Sequence, residues 1–302
     1  MTITQGTIWN ELQASLEGLV DDVMSSYRAK LDFPKWMDEK NMDSAYADYQ
    51  ELGGPGYAAE VPETTAVPTG EIAEGYSKRF IARKFGRVLQ ISEEARDDCK
   101  YSEALELGRR LNRSVYKTAD LDATFILMRA LDPAFLGPDG VVMASAAHPL
   151  AQGGGVYSNI LPAGIAPSVA SVAAARTMAS RQLGHDGTIE GYTIEKVAFP
   201  LEQWEVWQAV TGSSYDPEPG NFAKINIVKD MKLQLVPVKH WINSSTDYTY
   251  LTDAESQPIF YWRKKPTADT WPEQGVQIMK HSVTARWDCG YADPRAFIFV
   301  HP

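Results

Sequence analysis

One pattern constrains this 302-residue chain more than any other: helical spacing of apolar residues can be read from Ser92 to Leu131. Ala104, Leu107, Leu111 and Val115 mark one face of the expected helix, and Asp132-Pro133 stops it, because the residue before a proline avoids helical backbone. Ser92 stands where an N-cap belongs, followed by Glu93, Glu94, Asp97 and Asp98 where the helix dipole favours negative charge. At 1.5 Å per residue this helix is about 60 Å long. A compact globule of the same chain has a radius of gyration of ~19 Å, hence a diameter of about 50 Å. The helix outgrows a sphere unless it kinks near Asp120-Leu121-Asp122. A flat, elongated molecule is expected, exposing surfaces that a monomer would normally cover.

The elements around the helix fit that shape. Ile8, Leu12, Leu16, Leu19, Val20, Val23 and Tyr27 recur at three- and four-residue steps and predict an amphipathic helix over residues 7–30. Pro34 ends that pattern beside two aromatics, Phe33 and Trp36. Residues 53–75 are rich in Gly and Pro and without periodicity, an extended loop too irregular to fold back as a hairpin. Residues 76–91 read as one long strand. After Gly153-Gly154-Gly155 the pattern turns mixed: a small-residue helix from Ser168 to Gly184, a strand over 192–199, and a helix after Pro200 carrying Trp204 and Trp207. Short strands follow over 225–228, 232–238, 248–251 and 258–262, with longer ones over 276–287 and 296–300. The class is α+β.

The formal charge of −10 is unevenly placed. The first 76 residues hold 14 acidic and 4 basic side chains, whereas residues 77–117 hold 11 basic and 6 acidic ones. An acidic first quarter therefore runs straight into a basic stretch, and opposite blocks can pair within or between molecules. Lys78, Arg79, Arg83, Lys84 and Arg87 alternate with Phe80, Ile81, Phe85 and Val88. Such a strap could hold nucleic acid, but the adjacent acidic segment favours contact between subunits. Reversing Arg79, Arg83 and Arg87 together is expected to leave the subunit folded and abolish assembly.

Chemistry-bearing motifs are sparse. Gly153-Gly154-Gly155 lacks the Lys-Ser/Thr of a phosphate loop. His148 has no Cys beside it, and Ser145 is not in a nucleophile elbow. His185-Asp186 lies in a Gly-flanked turn, and His240, His281 and His301 are scattered, so no metal spacing and no cofactor is expected. Glu202 and Glu205 beside Trp204 and Trp207 could suggest a sugar-hydrolysing site, but three-residue spacing sets both carboxylates on one helix face rather than across a substrate. Cys99 and Cys289 are read as buried thiols of a reducing compartment. There is no apolar run long enough for a membrane span and no signal-peptide pattern.

The order of elements, with three local motifs, resembles the major capsid proteins of tailed bacteriophages, especially the Mu-like head subunits. The motifs are Leu89-Gln90-Ile91-Ser92-Glu93-Glu94-Ala95-Arg96-Asp97-Asp98; Gly137-Pro138-Asp139-Gly140 leading to His148-Pro149-Leu150 and Ser158-Asn159-Ile160; and Gly290-Tyr291-Ala292-Asp293-Pro294-Arg295. Cys99 replaces an Arg of the family pattern, and Met143-Ala144-Ser145 replaces a Leu-Phe-Ser. The resemblance implies an N-terminal arm over 1–48, an extended loop over 49–91 overlapping a neighbour, and a peripheral domain over 92–168 containing the spine helix. An axial domain over 169–271 would sit at capsomer centres, with terminal peripheral strands over 272–302. It implies a non-enzymatic virion protein forming hexamers and pentamers around double-stranded DNA, assembled in the bacterial cytoplasm, with separate scaffolding, portal and decoration proteins. The leading helix carries the further expectation that no scaffolding segment is cleaved from this chain. The rival readings are an encapsulin-like compartment shell and a carbohydrate-binding or carbohydrate-hydrolysing protein.

Overall fold

The structure, a computed structural model, describes residues 26–302 apart from 64, 71, 73, 93–100, 153, 218–223, 255, 274, 276 and 277. The expected leading helix lies outside the described residues except for its last turn, as do Cys99 and the carboxylates expected at the start of the long helix.

The long helix, α1 (Tyr101–Met128), runs unbroken through Asp120-Leu121-Asp122. Its 28 residues span about 42 Å. It stops three residues before Leu131, in a turn over 129–131. Leu111, Val115, Ala119, Ala123 and Leu127 form its buried stripe at four-residue steps. Leu107, expected on that stripe, is 45% exposed, so close packing begins one turn later.

The stripe lies on a four-stranded sheet in the order β1–β10–β11–β4. β1 (Asp38–Asn41) runs parallel to β10 (Ile259–Glu273), which forms a long antiparallel hairpin with β11 (Ile278–Gly290). β4 (Arg83–Ser92) completes the sheet against β11. Along β11 the odd-numbered Met279, His281, Val283, Ala285 and Trp287 are buried, while Lys280, Thr284 and Arg286 alternate with them. The expected strand over 258–262 is only the first third of β10. Lys264-Lys265-Pro266 interrupts the apolar pattern, and register shifts on either side of Lys264 let the ladder continue past a residue with no N–H to donate.

β5 (His148–Pro149) and β6 (Val156–Tyr157) form a two-stranded antiparallel ribbon. A second sheet joins β7 (Ile194–Pro200), β8 (Gln234–Val238), β9 (Tyr248–Thr252) and β12 (Phe297–Val300) in the order β12–β9–β7–β8. Val197, Phe199, Tyr248, Tyr250 and Ile298 face α2 (Val169–Ser180) and α3 (Trp204–Gly212). Ala198, Val236, Leu251, Phe297 and Phe299 join the core shared with α1 and the first sheet. Covered on both faces, β7, β9 and β12 are buried nearly throughout, while the edge strand β8 is partly open. Ser168 caps α2 reciprocally with Ser171, but the helix ends at Ser180 rather than Gly184, giving way to a turn closed by a Leu183–Ile189 bridge. The expected strand at 225–228 is instead a single bridge at Ile225 followed by a 3-10 turn. There the buried Asn226 side chain accepts from Val228 N and donates to the carbonyls of Val210 and Ser213.

Two further corrections concern the arm. The segment expected not to fold back does so: β2 (Tyr46–Leu52) pairs antiparallel with β3 (Glu74–Ile81), leaving only residues 53–73 as loop. The strand expected over 76–91 is broken at the buried Ala82, its first half in this hairpin and its second half in the first sheet. All of β10 belongs with β11, and β12 belongs to the second sheet.

Candidate assembly site at the root of the hairpin

The hairpin meets the body at a cluster of buried charge. Arg295, 1% exposed, is turned inward by a short 3-10 turn whose cap, Asp293, accepts from the Arg295 N–H. Its Nε donates to the Leu183 carbonyl at 2.7 Å, and its Nη1 lies 3.2 Å from Glu51 Oε1 on β2, 3.2 Å from Asp293 Oδ1 and 3.0 Å from His185 Nε2. Its guanidinium covers the Tyr157 ring at 4.2 Å. His185 Nε2 is also 2.7 Å from Glu51 Oε2. A side chain at Gly75 would stand 2.8 Å from both Glu51 Cβ and His185 Nε2, so glycine is what allows β3 to pass. A polar cleft of about 590 Å³ opens alongside.

The other motif residues converge on the same place. His148 Nδ1 is 2.5 Å from Asp139 Oδ2 and its Nε2 3.0 Å from Asn159 Oδ1, while its ring stacks on Tyr157. Asn159 Nδ2 donates to the Met143 and Pro294 carbonyls. His148 is therefore a fully partnered core residue that ties three loops together.

Two carboxylates face one guanidinium here, and burial together with the Arg295 charge lowers the His185 pKa. Burial pushes Asp293 up to about 7 and raises Glu51, which is the electrostatics of a carboxylate pair retaining one proton against Arg295. A carboxyl group whose pKa rises on folding stabilises the fold at low pH and loses that contribution as pH climbs to its folded value. Asp293→Asn is accordingly expected to gain in melting temperature relative to the unmodified protein as pH rises from about 4 to about 7. The depressed His185 acts with the opposite sign and is itself raised by the Asp293 charge, so the difference between the two proteins reports the coupled cluster. A difference that is flat with pH would exclude the shared proton.

The five cations of the basic strap do not act together. Arg79 is held by Asp48 through Nε–Oδ1 at 2.6 Å and Nη2–Oδ2 at 2.8 Å, a fork that lowers the Asp48 pKa. Arg83 Nη2 lies 2.6 Å from Asp122 on α1 and 3.6 Å from Asp288. Lys78 is half-buried, and Lys84 and Arg87 are exposed; among the described residues neither Lys84 nor Arg87 forms an ion pair. Reversal of Arg79 or Arg83 would oppose like charges inside the subunit, so the triple reversal also bears on contacts within it.

The remaining sequence candidates fall elsewhere. Trp207 is fully buried, its Nε1 donating to Gln203 at 3.0 Å, and Trp204 is 40% exposed on the helix surface near Glu202 and Glu205, so no aromatic platform forms. His301 bonds Asp247 and His281 bonds Thr270. Among the described residues no group of His, Cys, Asp or Glu could hold a metal ion, and no helix is long and apolar enough to cross a membrane. Sequence reasoning reached Asp139, His148, Asn159, Asp293 and Arg295 only as fragments of motifs. It missed Glu51, an acid in an acidic arm with nothing nearby to distinguish it.

Comparison with known proteins agrees with this architecture. The fold is similar to a solved structure from Microbacterium phage Oxtober96 (10% identity, 89% of this chain and 90% of that one, TM-score 0.57). It is also similar to the capsid of an empty GTA particle (10% identity, 89% of each chain, TM-score 0.54). The procapsid of bacteriophage JBD30 matches at 12% identity over 99% of this chain and 76% of that one, with a TM-score of 0.52. No curated protein matches. The family model described as phage capsid protein covers residues 75–300, from the outgoing strand of the hairpin to the last strand of the second sheet, and the chain belongs to that family.

Proposed function

We propose that this protein is the major head subunit of a tailed phage, built of hexamers and pentamers in an icosahedral shell around double-stranded DNA. The observation that carries this reading is the hairpin. Leu52, Tyr57, Val67 and Ile72 on it are 65–76% exposed, a cost that a free monomer has no reason to bear. A shell supplies the covering surface. The motifs that converge on Arg295 support placement near the Mu-like subunits. The role is structural rather than enzymatic, with scaffolding and portal proteins as separate chains, with or without decoration proteins, assembly in the host cytoplasm and the virion as destination. The acidic net charge keeps contact with packaged DNA weak and non-specific.

Within this reading the basic strap acts between subunits, and the role falls chiefly to Lys84 and Arg87, which form no ion pair among the described residues. Exposed ion pairs contribute about 0 to 1 kcal/mol each, so their effect comes from repetition over many copies. Sedimentation and negative-stain imaging of the purified protein test the reading. Capsomers or shells are expected, and a monodisperse monomer that makes no particles even with other head proteins present would refute it.

A further inference from the structure

A second cavity, of about 210 Å³, lies where the end of α1, the start of β4, the hairpin strand β3, the end of β11 and the loop over residues 135–143 meet. Its charge is unbalanced. Lys78, Arg83 and Arg129 line it together with one carboxylate, Asp122. Arg83 already takes up Asp122 at 2.6 Å and reaches Asp288 at 3.6 Å, and Asp122 also accepts from Trp287 Nε1 at 3.0 Å. Among the described residues neither Lys78 nor Arg129 forms an ion pair.

The two cations left over are both held in place. Lys78 is half-buried and shares the side of β3 that carries Phe80, which packs with Ile259 and Tyr261 of the body. The Arg129 guanidinium lies 4.4 Å from the centre of the Phe125 ring and 4.0 Å from that of Phe135. Held against two rings it is preorganised, yet its N–H groups meet no acceptor among the described residues. A half-buried cation without a counter-ion carries a desolvation cost that a bound anion offsets.

The remaining walls are apolar: Ile126, Leu136, Met143 and Tyr291 join the two phenylalanines. Gly137 lets the loop close on Tyr291, since a side chain there would stand 3.0 Å from Tyr291 Oη and 3.2 Å from the Val141 carbonyl. An apolar cavity of about 150 Å³ holds a benzene ring. At about 210 Å³ this one has room for a single ring with a carboxylate attached, and all of its lining comes from one chain. The planar fork of an arginine matches a carboxylate at two points, and Lys78 supplies a further charge. We propose that this cavity binds a small carboxylic acid with an apolar body, taken up as the anion. Such a ligand would fasten the hairpin to the end of α1 through Lys78 and Arg129. The site is complete within one subunit and stands apart from the shell reading.

The test is titration calorimetry of the purified protein with para-methylbenzoate at low ionic strength and neutral pH. Para-methylbenzyl alcohol, with the body but no charge, and acetate, with the charge but no body, are the controls. One para-methylbenzoate per chain is expected, with either control at least tenfold weaker. Lys78→Gln and Arg129→Gln are each expected to weaken binding at least fivefold. The ligand should raise the melting temperature of the unmodified protein, because it binds only the folded chain, and leave that of the double variant unchanged. Lys78→Gln removes no ion pair among the described residues, so it carries the test even if Arg129→Gln fails to fold. Equal affinity in the unmodified protein and the Lys78→Gln variant overturns the inference, as does an alcohol or an acetate that binds as tightly as the aromatic acid. Several weak sites that neither substitution alters would mark adventitious binding and overturn it too.

Discussion

Arg295→Met is expected to destabilise the subunit by about 3–5 kcal/mol, the loss typical of removing one partner from a buried ion pair. The guanidinium holds Glu51, Asp293, the Leu183 carbonyl and the Tyr157 ring face, and methionine satisfies none of the polar partners. Water cannot easily replace it at a side chain 1% exposed. Arg295→Lys keeps the charge but lacks the fork that reaches Leu183 and Glu51 at once, so an intermediate loss is expected. Urea unfolding of the dissociated subunit measures both. Because Glu51 lies on the hairpin and Leu183 in the turn before β7, increased protease sensitivity should appear first at the hairpin. A methionine variant within about 1 kcal/mol of the unmodified protein would mean that the cluster contributes little beyond packing.

Trp287→Ala has a comparable expected effect, about 3–5 kcal/mol, for a different reason. Its ring is fully buried, stacks on Phe85 at 4.0 Å with 7° between planes, and meets Trp262 edge-on at 5.6 Å. Truncation leaves a large cavity between α1 and the first sheet that the flat strands cannot collapse to fill. Its Nε1 also donates to Asp122 at 3.0 Å, the carboxylate that anchors Arg83. Trp287→Phe keeps most of the packing and loses that bond, for an expected loss of about 1 kcal/mol. Comparing the two variants by denaturant unfolding separates the cavity from the hydrogen bond, and equal losses would contradict the assignment.

Some of this was written plainly in the sequence. The helical repeat that defines α1, the Ser168 cap and the alternation along β11 each set one local period against a uniform environment. Other elements carried no such signal. β2 reads Tyr-Ala-Asp-Tyr-Gln-Glu-Leu, and its inner face, Ala47, Tyr49 and Glu51, is only half-buried and mixed in character, so no apolar alternation shows in the sequence. β10 hides behind Lys264-Lys265-Pro266, where register shifts do what pattern cannot express. The charge cluster was legible at Asp293 and Arg295, which one short turn positions. Glu51 and His185 reach it from 244 and 110 residues away, a relation that no local spacing records. The acid partners of Arg79 and Arg83 within the subunit come from a paired strand and from a helix, which local spacing does not record either.

The strand order also fixes a schedule for folding. β1, made early, must wait for β10, more than two hundred residues later, and β9 lacks its outer neighbour until residues 297–300 have been synthesised. Such non-local pairings slow folding, because chain entropy is lost before contacts compensate it. A nascent chain therefore has neither sheet complete through most of its translation, and its intermediates have open strand edges, the condition under which large proteins aggregate. Arg295, which bonds Glu51 on the hairpin, arrives only with the final segment, so an unfinished chain has its hairpin unfastened, and fixing of the hairpin is tied to completion of the core.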